Sequence, residues 1–151
     1  MSVAIDTSAV PARTGPPALV VEVAIGYFAL YHLVLAGFMA VAPHAFYTAV
    51  GPFGTFNGHY LRDVATYNAA IAIALAVSLA RPSWRVPVLA LVTIQFALHT
   101  VNHLFDADAA HPVWTGWFDF ATLAASTLLL AWLLRAATAE RPVTETKGEP
   151  Q

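Results

Sequence analysis

The stretch WTGWFDFATLAASTLLLAWLL, residues Trp114–Leu134, decides the class of fold. It contains one acidic residue, Asp119, has no lysine or arginine, and carries tryptophans near both ends. A helix needs about 20 apolar residues to cross roughly 30 Å of hydrocarbon, and tryptophan is enriched at the two membrane interfaces. The stretch therefore predicts a membrane-spanning helix.

Three further apolar stretches of similar length precede it, at Ala18–Ala42, Leu61–Ala80 and Val86–Phe105. Charged residues make up only 11% of the chain and hydrophobic residues 58%, whereas an average soluble domain has about 25% charged residues. A soluble bundle would need a polar outer face on each helix, and the last three stretches have almost none. We predict an all-α fold, an integral membrane four-helix bundle, with helices at about residues 18–42, 60–80, 86–106 and 114–135.

The two ends of the chain differ from this apolar region. Residues 1–17 contain three prolines, and the tail after the fourth stretch is polar. We predict disordered segments at residues 1–17 and 136–151, on either side of a four-helix domain at residues 18–135.

The first apolar stretch has a second interpretation as a cleaved signal peptide, because Ala40-Val41-Ala42 resembles a cleavage site. The apolar run is too long for a signal-peptide core, and Pro43 directly follows the apparent site. We therefore favour a helix that is retained.

Basic residues predict the orientation of the bundle. Six of the seven fall on one side of the predicted membrane: Arg13, Arg81, Arg85, Arg135, Arg141 and Lys147. By the positive-inside rule that side is cytoplasmic, so we predict a multi-pass plasma-membrane protein with both termini in the cytoplasm. On the outer side, the aromatic and uncharged connection Pro43–Gly58 predicts a short surface helix and a turn.

Composition also excludes several classes of function. The chain has no cysteine, which removes disulfides, thiolate metal sites, iron–sulfur clusters and thiol catalysis. A net charge of −2 without a basic block argues against a nucleic-acid partner. The expected partner is the lipid bilayer.

Polar residues recur at helical spacing within three of the predicted helices. The third helix carries the stripe Gln95, His99, Asn102, His103 and Asp106, the second carries His59, Asp63, Thr66 and Tyr67, and the fourth carries Thr115, Asp119, Thr122 and Ser126. Ionisable groups at the centre of a membrane helix cost about 2.5–3.5 kcal/mol on insertion scales, so they should point inward. We expect the three stripes to face a common axis near the outer end.

The strongest signal for a site is the pair His99 and His103. Two imidazoles one turn apart on a helix can bind one metal ion, and imidazole and carboxylate without sulfur suit Zn, Fe or Cu, or haem iron. We predict a metal or haem site near the outer face. The predicted ligands are His99, His103, His59, Asp63, Asp106 and Asp119, and the predicted surrounding residues are His32, Arg62, Asn102, Gln95 and Tyr67.

Two alternatives stay open. One is a metal-free membrane enzyme or binding protein for a lipid, quinone or sterol-like molecule, in which a histidine and an aspartate exchange protons inside a mostly apolar cavity. The residues that could line such a cavity are Tyr31, Tyr67, Phe96, Phe105 and Trp117. The other alternative is a structural or accessory subunit whose polar stripes hold the helices together. Catalysis and the formation of a homo-oligomer are both left open.

The segment Asn57-Gly-His-Tyr-Leu-Arg-Asp63, which enters an alanine-rich second helix, resembles the DoxX-like superfamily of small four-helix bacterial membrane proteins. An asparagine and an arginine recur near the start of the second helix in that group, and Asn57 and Arg62 occupy comparable positions here. The resemblance covers about residues 20–135. It implies a four-helix membrane fold and, for some members, a link to quinone-dependent or thiol redox systems.

Overall fold

The computed structural model describes residues 18–139, which form α-helices and short 3₁₀ turns without a β-strand. The helices are α1 (Ala18–Val41), α2 (Pro43–Ala49), α3 (Gly58–Ala80), α4 (Arg85–Asp106) and α5 (Val113–Ala139). Four of them, α1, α3, α4 and α5, are long and apolar enough to cross a membrane. The predicted all-α class is confirmed for this part of the chain.

Helix boundaries differ from the predicted ones where a cap or the core fixes them. Helix α3 begins at Gly58 because Oδ1 of Asn57 accepts hydrogen bonds from the backbone N–H groups of His59 and Tyr60, at 3.1 and 3.0 Å. Helix α5 continues to Ala139, past the predicted end at residue 135, because two of its last residues, Ala136 and Ala137, are buried in the core. The predicted tail therefore starts too early. The predicted disordered residues 1–17 and the rest of the tail lie outside the described residues.

The first connection contains the short helix that its composition predicts. Helix α2 occupies Pro43–Ala49, and a turn follows it. The hydroxyl of Tyr47 donates to the carbonyl oxygen of Gly54 at 2.6 Å, and the rings of His44 and Phe56 pack edge to face. These contacts fold the connection back on α2.

The four long helices form two closely packed pairs. Helix α1 lies along α3, and α4 lies along α5, whereas contacts between the pairs are fewer. Small buried residues on α3, among them Ala65 and Ala72, allow α1 to approach closely. The hydroxyls of Thr100 and Thr127 lie 3.0 Å apart and link α4 to α5.

The hydrophobic core occupies one end of the bundle. We name the two ends after residues there: the Pro82 end, where α3 passes into α4, and the His103 end, where α4 finishes. The largest fully buried core side chains are Phe28, Ile25, Leu75, Leu89, Leu130 and Leu133. Helix α4 contributes no buried side chain beyond Phe96. The two helix pairs are therefore sealed together from the Pro82 end to the level of Phe96 and are more open beyond it.

An ion pair joins the two helix pairs at the Pro82 end. Nη2 of Arg85, on α4, donates to Oε1 of Glu22, on α1, at 2.7 Å. The Arg85 side chain is 12% exposed, and its Nε also donates to the backbone carbonyl of Ser78 at 3.4 Å. Sequence spacing gives no sign of this pair, because the two residues lie 63 positions apart.

At the His103 end a 3₁₀ turn, Ala107–Ala109, packs against the start of α5. A Cβ at Gly116 would overlap the carbonyl oxygen of Ala107. The first connection meets the same region, because Phe53 and Ala110 form an isolated β-bridge and the His111 N–H donates to the carbonyl oxygen of Pro52 at 3.4 Å. This turn and the first connection cap one side of the His103 end.

Candidate functional site

The imidazoles of His99 and His103 lie side by side on α4. Their ring centroids are 4.6 Å apart, in an edge-to-face arrangement. On the other side of His103 the ring of Phe53, from the first connection, packs at 5.1 Å. Nδ1 of His103 is buried without a hydrogen-bond partner among the described residues. The predicted pair thus shares one face of the helix and retains an unpaired nitrogen.

A carboxylate from α5 lies near His103 and near a phenol from α1. Asp119, on α5, lies within electrostatic range of His103 and also of Tyr31, on α1. Asp106 lies within electrostatic range of His103 as well. Within residues 18–139, neither carboxylate comes within 4.0 Å of an imidazole nitrogen. We call the region of Tyr31, His99, His103 and Asp119, where α4 contributes no buried side chain, the cleft.

A cavity of about 150 Å³ adjoins the cleft. Its lining consists of Phe53, Asn102, His103 and Asp106. A cavity of about 150 Å³ can hold a molecule as large as benzene. The cavity therefore accommodates a single ring or a small head group, and only part of a larger molecule.

His32 lies deeper in the bundle and is 3% exposed. Its Nδ1 lies 2.8 Å from Oδ1 of Asn68, on α3, and its ring packs edge to face on Phe96 at 5.6 Å. Nε2 of His32 and Oε1 of Gln95 are both buried without a hydrogen-bond partner among the described residues. The predicted pocket residues His32 and Gln95 are thus polar groups beside Phe96, where the sealed core begins.

The polar stripe of α3 is placed differently from the prediction. His59 and Asp63 pair with each other at 3.5 Å, their side chains are 87% and 59% exposed, and Tyr67 is 71% exposed. The expectation that this stripe faces a common axis is wrong, because the alanine-rich face of α3, nearly opposite on the helix, packs against α1. His59 and Asp63 therefore do not join the cleft.

The remaining predicted residues divide between the cleft and the surface. Arg62 is exposed and donates to the carbonyl oxygen of its own helix, at Gly58, at 3.4 Å. On α5 the stripe is only partly inward, since Thr115 is buried and Thr122 is exposed. Trp117 donates through Nε1 to Asp108 at 3.0 Å, and the ring of Phe105 faces outward.

Two residues at the site carry no clear sequence signal. Phe53 belongs to none of the polar stripes, and only the fold of the first connection brings it onto His103. Asn68 is the only asparagine inside the second apolar stretch, which marks it as unusual, but it lies 36 positions from its partner His32.

The described residues do not complete a metal site. Within residues 18–139, no group of three or more histidine, aspartate or glutamate side chains is placed to hold a metal ion. The donors that do come together are two imidazoles, with carboxylates farther away. A metal or haem at His99 and His103 remains a prediction.

No family model matches the chain, and no curated protein or solved structure was found to be similar to it. The resemblance to the DoxX-like superfamily accordingly stays a prediction. Of its two motif residues, Asn57 has a local structural role as the N-terminal cap of α3, and Arg62 is exposed near the start of that helix.

Proposed function

We propose that this protein is a multi-pass plasma-membrane protein, with both termini in the cytoplasm, that binds an amphipathic small molecule such as a quinone, lipid or sterol-like compound. The observation that carries the proposal is the cleft at the His103 end. There α4 contributes no buried side chain, and Asp119 of α5 lies within electrostatic range of both His103 of α4 and Tyr31 of α1, with no hydrogen bond or ion pair between these groups among the described residues.

The chemistry of the cleft suits a polar head group. Ligand sites in proteins are mostly apolar with a few converging polar groups that fix orientation. Unpaired polar groups within a membrane are costly, and each costs several kcal/mol where hydrocarbon surrounds it. A head group that bonds to the imidazole of His103, which lines the cavity, or to Asp119 would remove part of that cost, so the site favours a ligand with both a polar and an apolar part.

The size of the site also favours an amphiphile. Whole drug-sized ligands occupy pockets of roughly 300–1,000 Å³, whereas the cavity beside His103 is about 150 Å³. One ring fits the cavity, and an attached chain would extend along the outward apolar face of α4, where Leu98, Val101 and Phe105 are exposed. In this arrangement the tail stays in the bilayer.

A binding titration tests the proposal. The purified protein in lipid nanodiscs would be titrated with a decyl-substituted benzoquinone while tryptophan fluorescence is recorded. We expect saturable quenching for the unmodified protein. For His103→Phe we expect the affinity to fall by about tenfold or more, because one hydrogen bond is lost. A tenfold change corresponds to roughly 1.4 kcal/mol, which is near the contribution of one hydrogen bond.

The matched control is His59→Phe, which changes an exposed histidine on the far face of α3. It should bind like the unmodified protein. Linear quenching without saturation, or equal losses in the two variants, would contradict the proposal.

A second candidate function is the binding of a metal ion or haem, favoured by the adjacency of the two imidazoles and the unpaired Nδ1 of His103. His99 and His103 would hold the metal, with Asp106 and Asp119 as further oxygen donors. Elemental analysis and an absorption spectrum of the purified protein decide it. About one metal per chain or a haem band, lost in the His99→Ala/His103→Ala variant, supports it; metal-free, colourless protein refutes it.

A further inference from the structure

The cavity beside His103 has a carboxylate in its lining, that of Asp106, together with Phe53, Asn102 and His103. Asp106 is exposed, and among the described residues its carboxylate joins no ion pair and accepts no hydrogen bond from another side chain. An exposed carboxylate is ionised at neutral pH. The cavity therefore presents a negative charge that no arginine or lysine of residues 18–139 contacts.

The charges of the bundle are sorted by end. Within residues 18–139, four aspartates lie toward the His103 end: Asp63, Asp106, Asp108 and Asp119. The only arginine of that part of the chain at the same end is Arg62, which is exposed and donates to the carbonyl oxygen of Gly58 on its own helix. An excess of one charge raises the local concentration of ligands of the opposite charge. The electrostatic field at this end favours a cation.

The remaining lining of the cavity also suits a cation. The ring of Phe53 packs edge to face on the ring of His103, with the centroids 5.1 Å apart, and both residues line the cavity. The face of an aromatic ring attracts a positive charge, more strongly where water is excluded. The side-chain carbonyl of Asn102 adds a hydrogen-bond acceptor. A compact cation would thus meet a carboxylate and aromatic surface in one place.

We infer that the head group held in this cavity is an organic cation, an ammonium group or a pyridinium-like ring, attracted by the carboxylate of Asp106. The inference rests on the proposed function and narrows it to amphiphiles with a positive head group. An anionic head group would meet the like charge of Asp106, which is unfavourable. A neutral ring such as a quinone fits the cavity but lacks the charge attraction, so it binds more weakly.

The experiment compares two probes of the same shape, N-octylpyridinium and octylbenzene, which differ in the charge of the ring. Each tritium-labelled probe is distributed by dialysis between protein-containing and empty nanodiscs of the same phosphatidylcholine, so partition into lipid cancels. The buffer is at about pH 8, above the range in which imidazoles normally take up a proton. We expect the unmodified protein to bind the pyridinium about tenfold or more tightly than octylbenzene.

Asp106→Asn removes the charge and keeps the size of the side chain, so it should abolish the preference for the pyridinium. The matched control is Asp63→Asn, which removes the same charge at the same end, from a side chain that is 59% exposed on α3 and does not line the cavity. It should keep the preference.

Equal binding of the two probes by the unmodified protein, or equal losses in the two variants, would overturn the inference. Saturable binding of the benzoquinone would in that case leave the proposed function standing. Binding of neither probe, nor of the benzoquinone, would overturn both.

A second measurement does not depend on the folding of any variant. Raising the salt concentration from about 0.01 M to about 1 M shortens the Debye length from about 30 Å to about 3 Å. We expect the preference of the unmodified protein for the pyridinium to fall severalfold, because Asp106 is exposed and its charge is screened. A preference that is independent of salt would overturn the inference.

Discussion

At the scale of single residues, the closest backbone contact that requires a glycine is at Gly116. The 3₁₀ turn after α4 lies so near α5 that the first side-chain carbon of any other residue would overlap the carbonyl oxygen of Ala107. The neighbouring atom belongs to the backbone, so relief requires a shift of the turn itself, and Ala107 is fully buried there.

We expect Gly116→Ala to lower the free energy of unfolding by about 1–3 kcal/mol, the usual cost of overfilling a packed site. The measurement is thermal unfolding of the detergent-solubilised protein by circular dichroism. Gly37→Ala is the matched control, because nothing lies within 4 Å of a Cβ at Gly37 on α1. Similar stabilities for the two variants would contradict the close packing of the turn on α5.

At this scale, sequence reasoning predicts the His99 and His103 pair well, because helical spacing alone puts the two imidazoles on one face. It cannot predict the pairing of His32 with Asn68 or the packing of Phe53 on His103. Those contacts depend on how α1, α3 and the first connection are placed in three dimensions, and local periodicity carries no information about that placement.

At the scale of helices, the orientation of α3 about its own axis shows which interaction determines the direction in which a polar stripe points. The length and apolarity of the sequence predict that α3 exists. They do not predict which of two faces packs against the other helices, the one with His59 and Asp63 or the one with Ala65 and Ala72. Close packing of small residues against α1 prevails. His59 and Asp63 lie in the first two turns of α3, and the end of a membrane-spanning helix tolerates charge better than its centre does.

The ion pair between α1 and α4 provides a prediction at the same scale. In a double-mutant cycle of Glu22→Gln and Arg85→Gln, we expect a coupling free energy of about 1 kcal/mol. This is less than a fully buried charged hydrogen bond contributes, because Glu22 is exposed to solvent. Unfolding in denaturing detergent provides the stabilities. The comparison cycle pairs Glu22→Gln with Arg81→Gln, because Arg81 is exposed beside the same turn. Equal coupling in both cycles would count against a specific pair.

At the scale of the whole molecule, the bundle consists of two helix pairs that are joined firmly at one end only. Most core residues and the Glu22–Arg85 ion pair lie between the Pro82 end and the middle of the helices, and Leu123 of α5 is a core residue nearer the His103 end. At the other end the contacts between the pairs are mainly those that the first connection makes with His103, Ala110 and His111. Relative motion of the pairs should therefore be greatest at the His103 end.

Spin labels can measure this motion, because the chain contains no native cysteine. Labels at Val41 and Phe105 report on the distance between α1 and α4 at the His103 end, and labels at Leu19 and Leu91 report nearer the Pro82 end; all four sites are exposed. We expect a broad distance distribution for the first pair, narrowed by the decyl benzoquinone, and a narrow one for the second. Equally narrow distributions would show a bundle that is rigid throughout.

The one-sided core also determines from which side of the bilayer the proposed amphiphile would enter. The helix pairs are sealed from the Pro82 end to the level of Phe96. An amphiphile that diffuses laterally in the membrane would therefore enter between them from one leaflet of the bilayer only. The same seal blocks its passage to the opposite leaflet. The occupancy of the protein would therefore follow the composition of a single leaflet, and lipid asymmetry across the bilayer would control it.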